Sequence, residues 1–313
     1  MKSSMKLMCG AMMLAMSLSV FAAAVDSTVG YWRFEDGPGP VTKPFGAVDS
    51  SGNGYHMDPW TAGDWAGFEY RTDVAGTSVS GLTNNYSIKN SGGYPGMATL
   101  TGAGIQTITP AAFTIEATFK LENGGHKTIV GRDSRGSATT NGDLAALYFQ
   151  AVPNNGLAIK FCDVSGYWHE AISANNAYVG FNWSAENPDG DPATPWYSMA
   201  AVSDGSILSL YLRNVTEGGA WSLIAQTDMT LSGSANTALT AGTGDGGDWD
   251  AGNWSIGRGL YAGGHGDRAY GFIDEVRISD AALDASDFLF VIPEPMTLVL
   301  LGLGGLGLLK RRS

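Results

Sequence analysis

The sequence predicts an all-β fold, a two-sheet antiparallel β-sandwich, and three observations carry that prediction. Several segments alternate apolar and polar residues with period two, the pattern of a strand with one buried face. Turns rich in Gly and Asn separate them. Glycine supplies 44 of 313 residues, about twice the average share, while long stretches of Ala, Leu, Glu and Lys are missing.

Taken in order, the chain begins with an address. Met1 to Ala24 has a basic start at Lys2 and Lys6, an apolar run from Leu7 to Phe21, and small residues at Ala22, Ala23 and Ala24. This is the layout of a cleavable secretory signal, cut after Ala24 or Ala23. Cys9 does not fit a lipid-attachment site, because the large Met8 precedes it and almost no apolar run comes before. Once the signal is removed, Cys162 is the only cysteine, so no internal disulfide is expected.

The body, from Val25 to Phe290, is strongly acidic. With both terminal segments set aside it keeps 13 basic against 29 acidic residues, a net charge of −16. No basic patch is available to neutralise phosphates, which argues against nucleic acid as a partner. The first strand candidate is Gly30 to Phe34. Pro38 to Pro110 is looser and predicts long loops with an edge strand or two. FTIEATFKLE then puts Phe113, Ile115, Ala117, Phe119 and Leu121 on one face and Thr114, Glu116, Thr118, Lys120 and Glu122 on the other. Thr128 to Gly131 and Ala145 to Gln150 follow. LAIKFCDV sets Leu157, Ile159 and Phe161 against Ala158, Lys160 and Cys162, and ILSLYLRNV sets Leu208, Leu210 and Leu212 against Ser209, Tyr211 and Arg213. Trp196 to Ser203, Trp221 to Gln226, Ser255 to Gly257 and Tyr270 to Ser279 complete the set. The turns are NGG at 123–125, NNG at 154–156, SDG at 203–205 and EGG at 217–219, and NPDGDPATP at 187–195 is a loop. Only Ala281 to Phe288 reads as helical, for one or two turns with Asp284 as a cap. No internal repeat or linker divides the body, so one domain is expected over residues 25–290.

Three stretches together carry a family likeness. YWRFEDG (Tyr31 to Gly37) is followed by DSSGNGYHM (Asp49 to Met57), and the body closes with GFIDEVRISDAAL (Gly271 to Leu283). In that order, with FTIEATFKL between, they resemble the laminin-G-like, concanavalin A-like jelly-roll domains of secreted bacterial proteins. The resemblance implies a lectin/glucanase-type sandwich that binds carbohydrate, often with a structural calcium ion.

The final segment, VIPEPMTLVLLGLGGLGLLKRRS at 291–313, has a likeness of its own. Pro293-Glu294-Pro295, an apolar run and then Lys310-Arg311-Arg312 resemble a PEP-CTERM sorting signal. The resemblance implies an exosortase-type membrane protease as partner and a Gram-negative envelope, cell surface or extracellular matrix as destination. The 14 residues from Met296 to Leu309 reach only about 21 Å as a helix. A bilayer core is about 30 Å thick, so this short transmembrane segment predicts transient insertion. The prolines stop regular structure before the membrane and the basic cluster stays on the cytoplasmic side.

Strand phase supplies an independent clue about metal. Asp36 falls on the phase of Trp32 and Phe34, and Asp274 on that of Phe272, Val276 and Ile278, so both acids are aimed inward. A carboxylate facing a core needs a partner such as a backbone N–H, an Arg or a cation. Calcium takes six to eight oxygens, and Asp36 and Asp274, with Glu35 and Asp49, are its candidate ligands. The alternative is that Asp274 caps a turn or pairs with Arg277 or Arg258, and that Asp36 merely ends a strand. The run DGGDWDAGNW (245–254) lacks the spacing and closing Glu of an EF-hand and reads as a solvated turn.

Nine tryptophans in a chain with few helices point to sugar stacking, since an aromatic face covers the apolar side of a pyranose. Trp60, Trp65, Trp168, Trp183, Trp196 and Trp249 lie among polar, loop-like residues and are the candidate ligand-binding side chains. Packing within the domain is the competing role. No catalytic residue is identified. Carboxylates two apart on a strand, as retaining glycosidases on this fold need, do not occur on a convincing strand. His56, His126, His169 and His265 form no paired metal motif, and no G-x-S-x-G elbow is present. The expectation is an exported glycan-binding domain. A glycan-cleaving enzyme on the same fold is the first alternative, and a matrix protein without specific ligand the second.

Overall fold

The computed structural model describes residues 27–59, 67–76, 78, 81–90, 96–134, 145–184, 189–242, 251–261 and 264–290. Residues 1–24, where a leader is expected, and the segment 291–313, with Pro293, Glu294, Pro295, Lys310, Arg311 and Arg312, lie outside the described residues, as do Trp60, Trp65 and Trp249. Among the described residues no helix is long and apolar enough to cross a membrane.

The strands are β1 (Thr28–Trp32), β2 (Gly39–Pro40), β3 (Met57–Pro59), β4 (Phe68–Arg71), β5 (Ser87–Asn90), β6 (Met97–Thr99), β7 (Phe113–Leu121), β8 (Lys127–Arg132) and β9 (Leu147–Val152), followed by β10 (Gly156–Cys162), β11 (Trp168–Ile172), β12 (Tyr197–Ser203), β13 (Ile207–Asn214), β14 (Ser222–Asp228), β15 (Trp254–Ile256), β16 (Gly259–Tyr261), β17 (Gly264–Gly266) and β18 (Gly271–Ser279). A nine-stranded sheet runs β14-β13-β12-β7-β18-β5-β4-β2, with β1 also paired to β18, and a seven-stranded sheet runs β11-β10-β9-β8-β15-β6-β3. The pair β16-β17 stands apart as a small hairpin. Neighbouring strands are antiparallel throughout. The fold is the all-β, two-sheet antiparallel sandwich that the alternation predicts.

The core lies between the sheets. Phe113, Ile115, Ala117, Phe119 and Leu121 of β7 meet Leu147, Phe149, Ala151, Leu157, Ile159 and Phe161 of β9 and β10, all buried. At roughly 25 cal/mol per Å² of apolar surface removed from water, this packing is the main stabilising term of a domain without a disulfide. Cys162 is buried, and its thiol donates to the Asp163 carbonyl at 3.4 Å.

Three readings of phase or element type are corrected. In β18 the register slips between Asp274 and Arg277, and Glu275 takes a left-handed φ of 47°. Such a bulge adds one residue and reverses the phase beyond it. Val276 and Ile278 therefore enter the core, whereas Asp274, opposite Thr118, shares the outer face of the sheet with Phe272 and Arg277. In the first strand Phe34 has a φ of 57°, which ends the alternation and leaves Asp36 exposed. The 281–288 stretch forms only one 3-10 turn, Ala285–Asp287, and Asp284 precedes it without a side-chain capping bond.

The looser region holds five short strands, β2 to β6, more than an edge strand or two. The chain beyond β18 packs back on the nine-stranded sheet, where Leu283 and Phe288 join Ala200. The carbonyl of Phe290 accepts hydrogen bonds from Arg213 and from the Trp221 indole.

Candidate functional site

The outer face of the seven-stranded sheet is built by the same alternation that fills the core. In β9 the residues between Leu147, Phe149 and Ala151 are Tyr148 and Gln150, and in β10 Lys160 sits between Ile159 and Phe161. Register places Lys160 opposite Tyr148 on one side and opposite Glu170 of β11 on the other. These side chains, with Trp168, His126 and Asp267, line a cavity of about 450 Å³. That volume is within the range of small-molecule sites.

A local device sets the position of Trp168. Asp163 braces the turn before β11, its carboxylate accepting from the N–H groups of Ser165 and Tyr167, both at 2.9 Å. Gly166 in that turn has a φ of 89°, a conformation that side chains rarely tolerate. The second Asp163 oxygen meets the ring of His169 at 2.8 Å, and that pair is buried. His169 thus points inward, and its neighbours Trp168 and Glu170 point outward.

Trp168 stacks on Tyr148 with ring centroids 6.1 Å apart and an interplanar angle of 22°. Tyr148 is held in turn by a hydrogen bond from its hydroxyl to the Leu260 carbonyl on β16 and by one from the Ala145 N–H. The half-buried indole is therefore a platform fixed from beneath. Around it, Lys160 pairs with Glu170 at 3.1 Å, and the Gln150 side-chain carbonyl accepts from Thr128 at 3.3 Å. On the opposite wall the Asp267 carbonyl accepts from the Thr128 N–H at 2.7 Å. Burial raises the Asp267 carboxyl above the ordinary aspartate value, an effect that nearby His126 partly offsets. The arrangement offers one flat apolar surface ringed by cationic, anionic and amide groups.

The other candidate tryptophans lie elsewhere. Trp196 is buried against Phe272 and donates its indole N–H to Asp73 at 2.8 Å, a packing role. Trp183 is 59 % exposed, on the segment leading from Phe181. Trp168, loop-like in its sequence surroundings, opens β11. Lys160 and Glu170 were not singled out for binding, and the Lys160 phase in LAIKFCDV was the signal that could have found them.

The four candidate metal ligands do not converge on one point. Asp49 is buried and braces its loop, accepting from the N–H groups of Tyr31, Ser51 and Tyr55 and from the Ser51 hydroxyl. Four donors occupy its acceptor sites. Asp36 accepts from the Val48 N–H at the surface, and Glu35 accepts from the N–H groups of Asn85 and Tyr86 and from the Asn85 amide. Asp274 differs. It is fully buried, and one oxygen accepts from the Asn84 amide at 2.7 Å and from the Ala75 N–H at 3.2 Å. Its second oxygen, Oδ1, and the Asn84 Oδ1 are buried without a hydrogen-bond partner. Burial, then the charge of Glu275, pushes the Asp274 carboxyl well up. Among the described residues no three His, Cys, Asp or Glu side chains form a metal-holding group. Asp274 and Asn84 each keep one side-chain oxygen that is buried and unused.

No protein-family model matches the chain, and no curated protein matches its sequence. Solved structures are similar in fold. One is domain 4 of AbnA, an extracellular arabinanase from Geobacillus stearothermophilus, in complex with arabinotriose (12 % identity, 83 % of this chain and 96 % of that one, TM-score 0.48). Another is the CBM40 of the Ruminococcus gnavus IT-sialidase bound to α2,3-sialyllactose (12 % identity, 59 % and 83 %, TM-score 0.40). The ligand-binding domain of botulinum neurotoxin serotype D with N-acetylneuraminic acid is a third (12 % identity, 85 % and 50 %, TM-score 0.43). The chain spans about half the length of the neurotoxin domains it resembles.

Proposed function

We propose that this is a carbohydrate-binding domain and that the cavity over β9, β10 and β11 is its binding site. The observation that carries the reading is Trp168, half-buried, stacked on Tyr148 and set among Gln150, Lys160 and Glu170. A sugar presents an apolar face and a rim of hydroxyls, which an indole plane ringed by amide, ammonium and carboxylate groups complements. Incubation with a panel of polysaccharides, measuring retention and calorimetric affinity, tests it. Binding that Trp168→Ala weakens about tenfold or more, roughly 1.4 kcal/mol, is the expected result. Unchanged binding in that variant would remove the site.

A glycan-cleaving enzyme is the second reading, favoured by the two carboxylates in the cavity, Glu170 and Asp267, the latter raised by burial. Glycoside hydrolysis needs such a pair, one ionised and one protonated. Release of reducing ends during the same incubation, lost in Asp267→Asn, would establish it. Retention without release supports binding alone, and neither would indicate a matrix protein without specific ligand.

The domain's cofactor, in this reading, is structural calcium held by Asp274 and Asn84. What supports it is that the two side chains are joined by a hydrogen bond and that each keeps one buried oxygen without a partner. A rise in melting temperature with calcium, reversed by EDTA and missing in Asp274→Asn, is expected; no shift in the native chain would count against it. The leader at 1–24 and the PEP-CTERM-like tail support export across a Gram-negative inner membrane and sorting by an exosortase-type protease to the envelope, cell surface or matrix. Deleting 293–313 and fractionating cells tests that delivery, which should change while the domain stays folded.

A further inference from the structure

A second cavity of about 410 Å³ is lined by Val179, Gly180, Asn182, Ser184, Asp191 and Thr194 among others. Trp183, 59 % exposed, sits between two of these residues, and Val179 is 62 % exposed. A single exposed apolar side chain is ordinary on a folded surface; what marks this one is that the residues on either side of it in the chain, Asn182 and Ser184, line a cavity.

The turn joining β7 to β8 connects the two cavities. His126, at one end of it, lines the first cavity. Asn123, at the other end, donates from its amide to Asn182 Oδ1 of the second cavity at 2.9 Å, and its own Oδ1 accepts from the Gly180 N–H at 3.1 Å. Asn155 donates to the same Asn123 oxygen at 2.7 Å. Asn155, Asn123 and Asn182 therefore form a hydrogen-bonded row of amides along the surface. From Asn123 to His126 is three residues, so their Cα atoms are separated by at most about 11 Å even if the turn were fully extended.

We propose that the two cavities are subsites of one track and that the ligand is a polymeric glycan chain lying across the amide row, with Trp168 and Trp183 as its two stacking platforms. The inference rests on the reading of the first cavity as a sugar site. An amide nitrogen carries two N–H groups and the row uses one from Asn123 and one from Asn155, so the second on each suits a sugar hydroxyl between the platforms. Linking two weak sites through one chain makes the second contact effectively intramolecular, so affinity should rise steeply with chain length.

The experiment is calorimetry on the full chain with ladders of neutral oligosaccharides, two to eight units long, cut from arabinan, xylan and β-glucan. The expected result is affinity that climbs with length and then levels off. Trp183→Ala should leave the shortest binding oligosaccharide unaffected and weaken the longest about tenfold, with Trp183→Phe restoring most of it. Trp168→Ala should weaken every length. If Trp183→Ala binds the longest oligosaccharide as the native chain does while Trp168→Ala does not, the track is overturned and the single site stands. If no ladder binds, or Trp168→Ala leaves all binding intact, the sugar-site reading falls and the track falls with it. The exposure of Trp183 makes loss of folding a poor explanation for its effect, and an unchanged melting temperature checks this.

Discussion

The two outer faces of the sandwich carry similar kinds of side chain and use them differently. On β7, Thr114, Glu116, Thr118 and Lys120 alternate with the core residues, as Tyr148, Gln150 and Lys160 do on β9 and β10. The first set is buried beneath later chain. Glu116 pairs with Arg277 at 2.5 Å and accepts from the Leu289 N–H, and Lys120 pairs with Asp73 beneath Trp196 and Phe272. The second set borders an open cavity. Polar residues on a strand's outer face thus become structure where the chain returns over them; beside the cavity Tyr148 and Gln150 are also buried, and Lys160 with Trp168 and Glu170 of β11 remains available for ligand.

The comparison breaks first at Glu116. Replacing it with Ala leaves Arg277 buried without its carboxylate, and such a loss typically costs about 3–5 kcal/mol. Urea unfolding should show a loss of that size; a change under about 1 kcal/mol would mean that water reaches this face. Next is Trp196→Ala, which removes a buried ring from the cover and should destabilise by about 3 kcal/mol. Glycan binding in that variant should persist under conditions where it remains folded.

Asp274 sharpens the comparison through pH. In calcium-free buffer its carboxyl is raised by burial, so the folded state holds a proton that the unfolded chain releases at the ordinary aspartate value. Stability should fall as pH rises from that value towards the raised one, and the loss should persist above it. Asp274→Asn should flatten this part of the melting-temperature profile relative to the native chain. Equal slopes would place the titration elsewhere. The smallest effect belongs to the open face: Lys160, 28 % exposed, and Glu170, 58 % exposed, form a solvent-screened pair. Lys160→Met should change stability by under about 1 kcal/mol while altering glycan affinity.

The sequence made β7, β10, β12 and β13 legible because each repeats an apolar residue at every second position. The bulge at Glu275 was not legible, since a left-handed residue leaves no mark in an apolar pattern, and it moved Asp274 from core to outer face. β11 was missed because its inward position holds His169, whose burial depends on Asp163 six residues earlier. Strands of two to four residues, such as β2 to β6, are too short to display a period. Of the candidate site, Trp168 was named from its composition-level surroundings, but its partners Tyr148, Lys160 and Glu170 come together only through strand register.

The central claim is that the open face binds glycan through Trp168, and one paired measurement on Trp168→Ala tests it most directly. Polysaccharide affinity and urea stability are determined on the same preparation. The account predicts affinity lower by about tenfold or more with the variant still folded and the stability loss well short of that for Glu116→Ala. A variant that binds as the native chain does, or that loses binding only because it has unfolded, would contradict it.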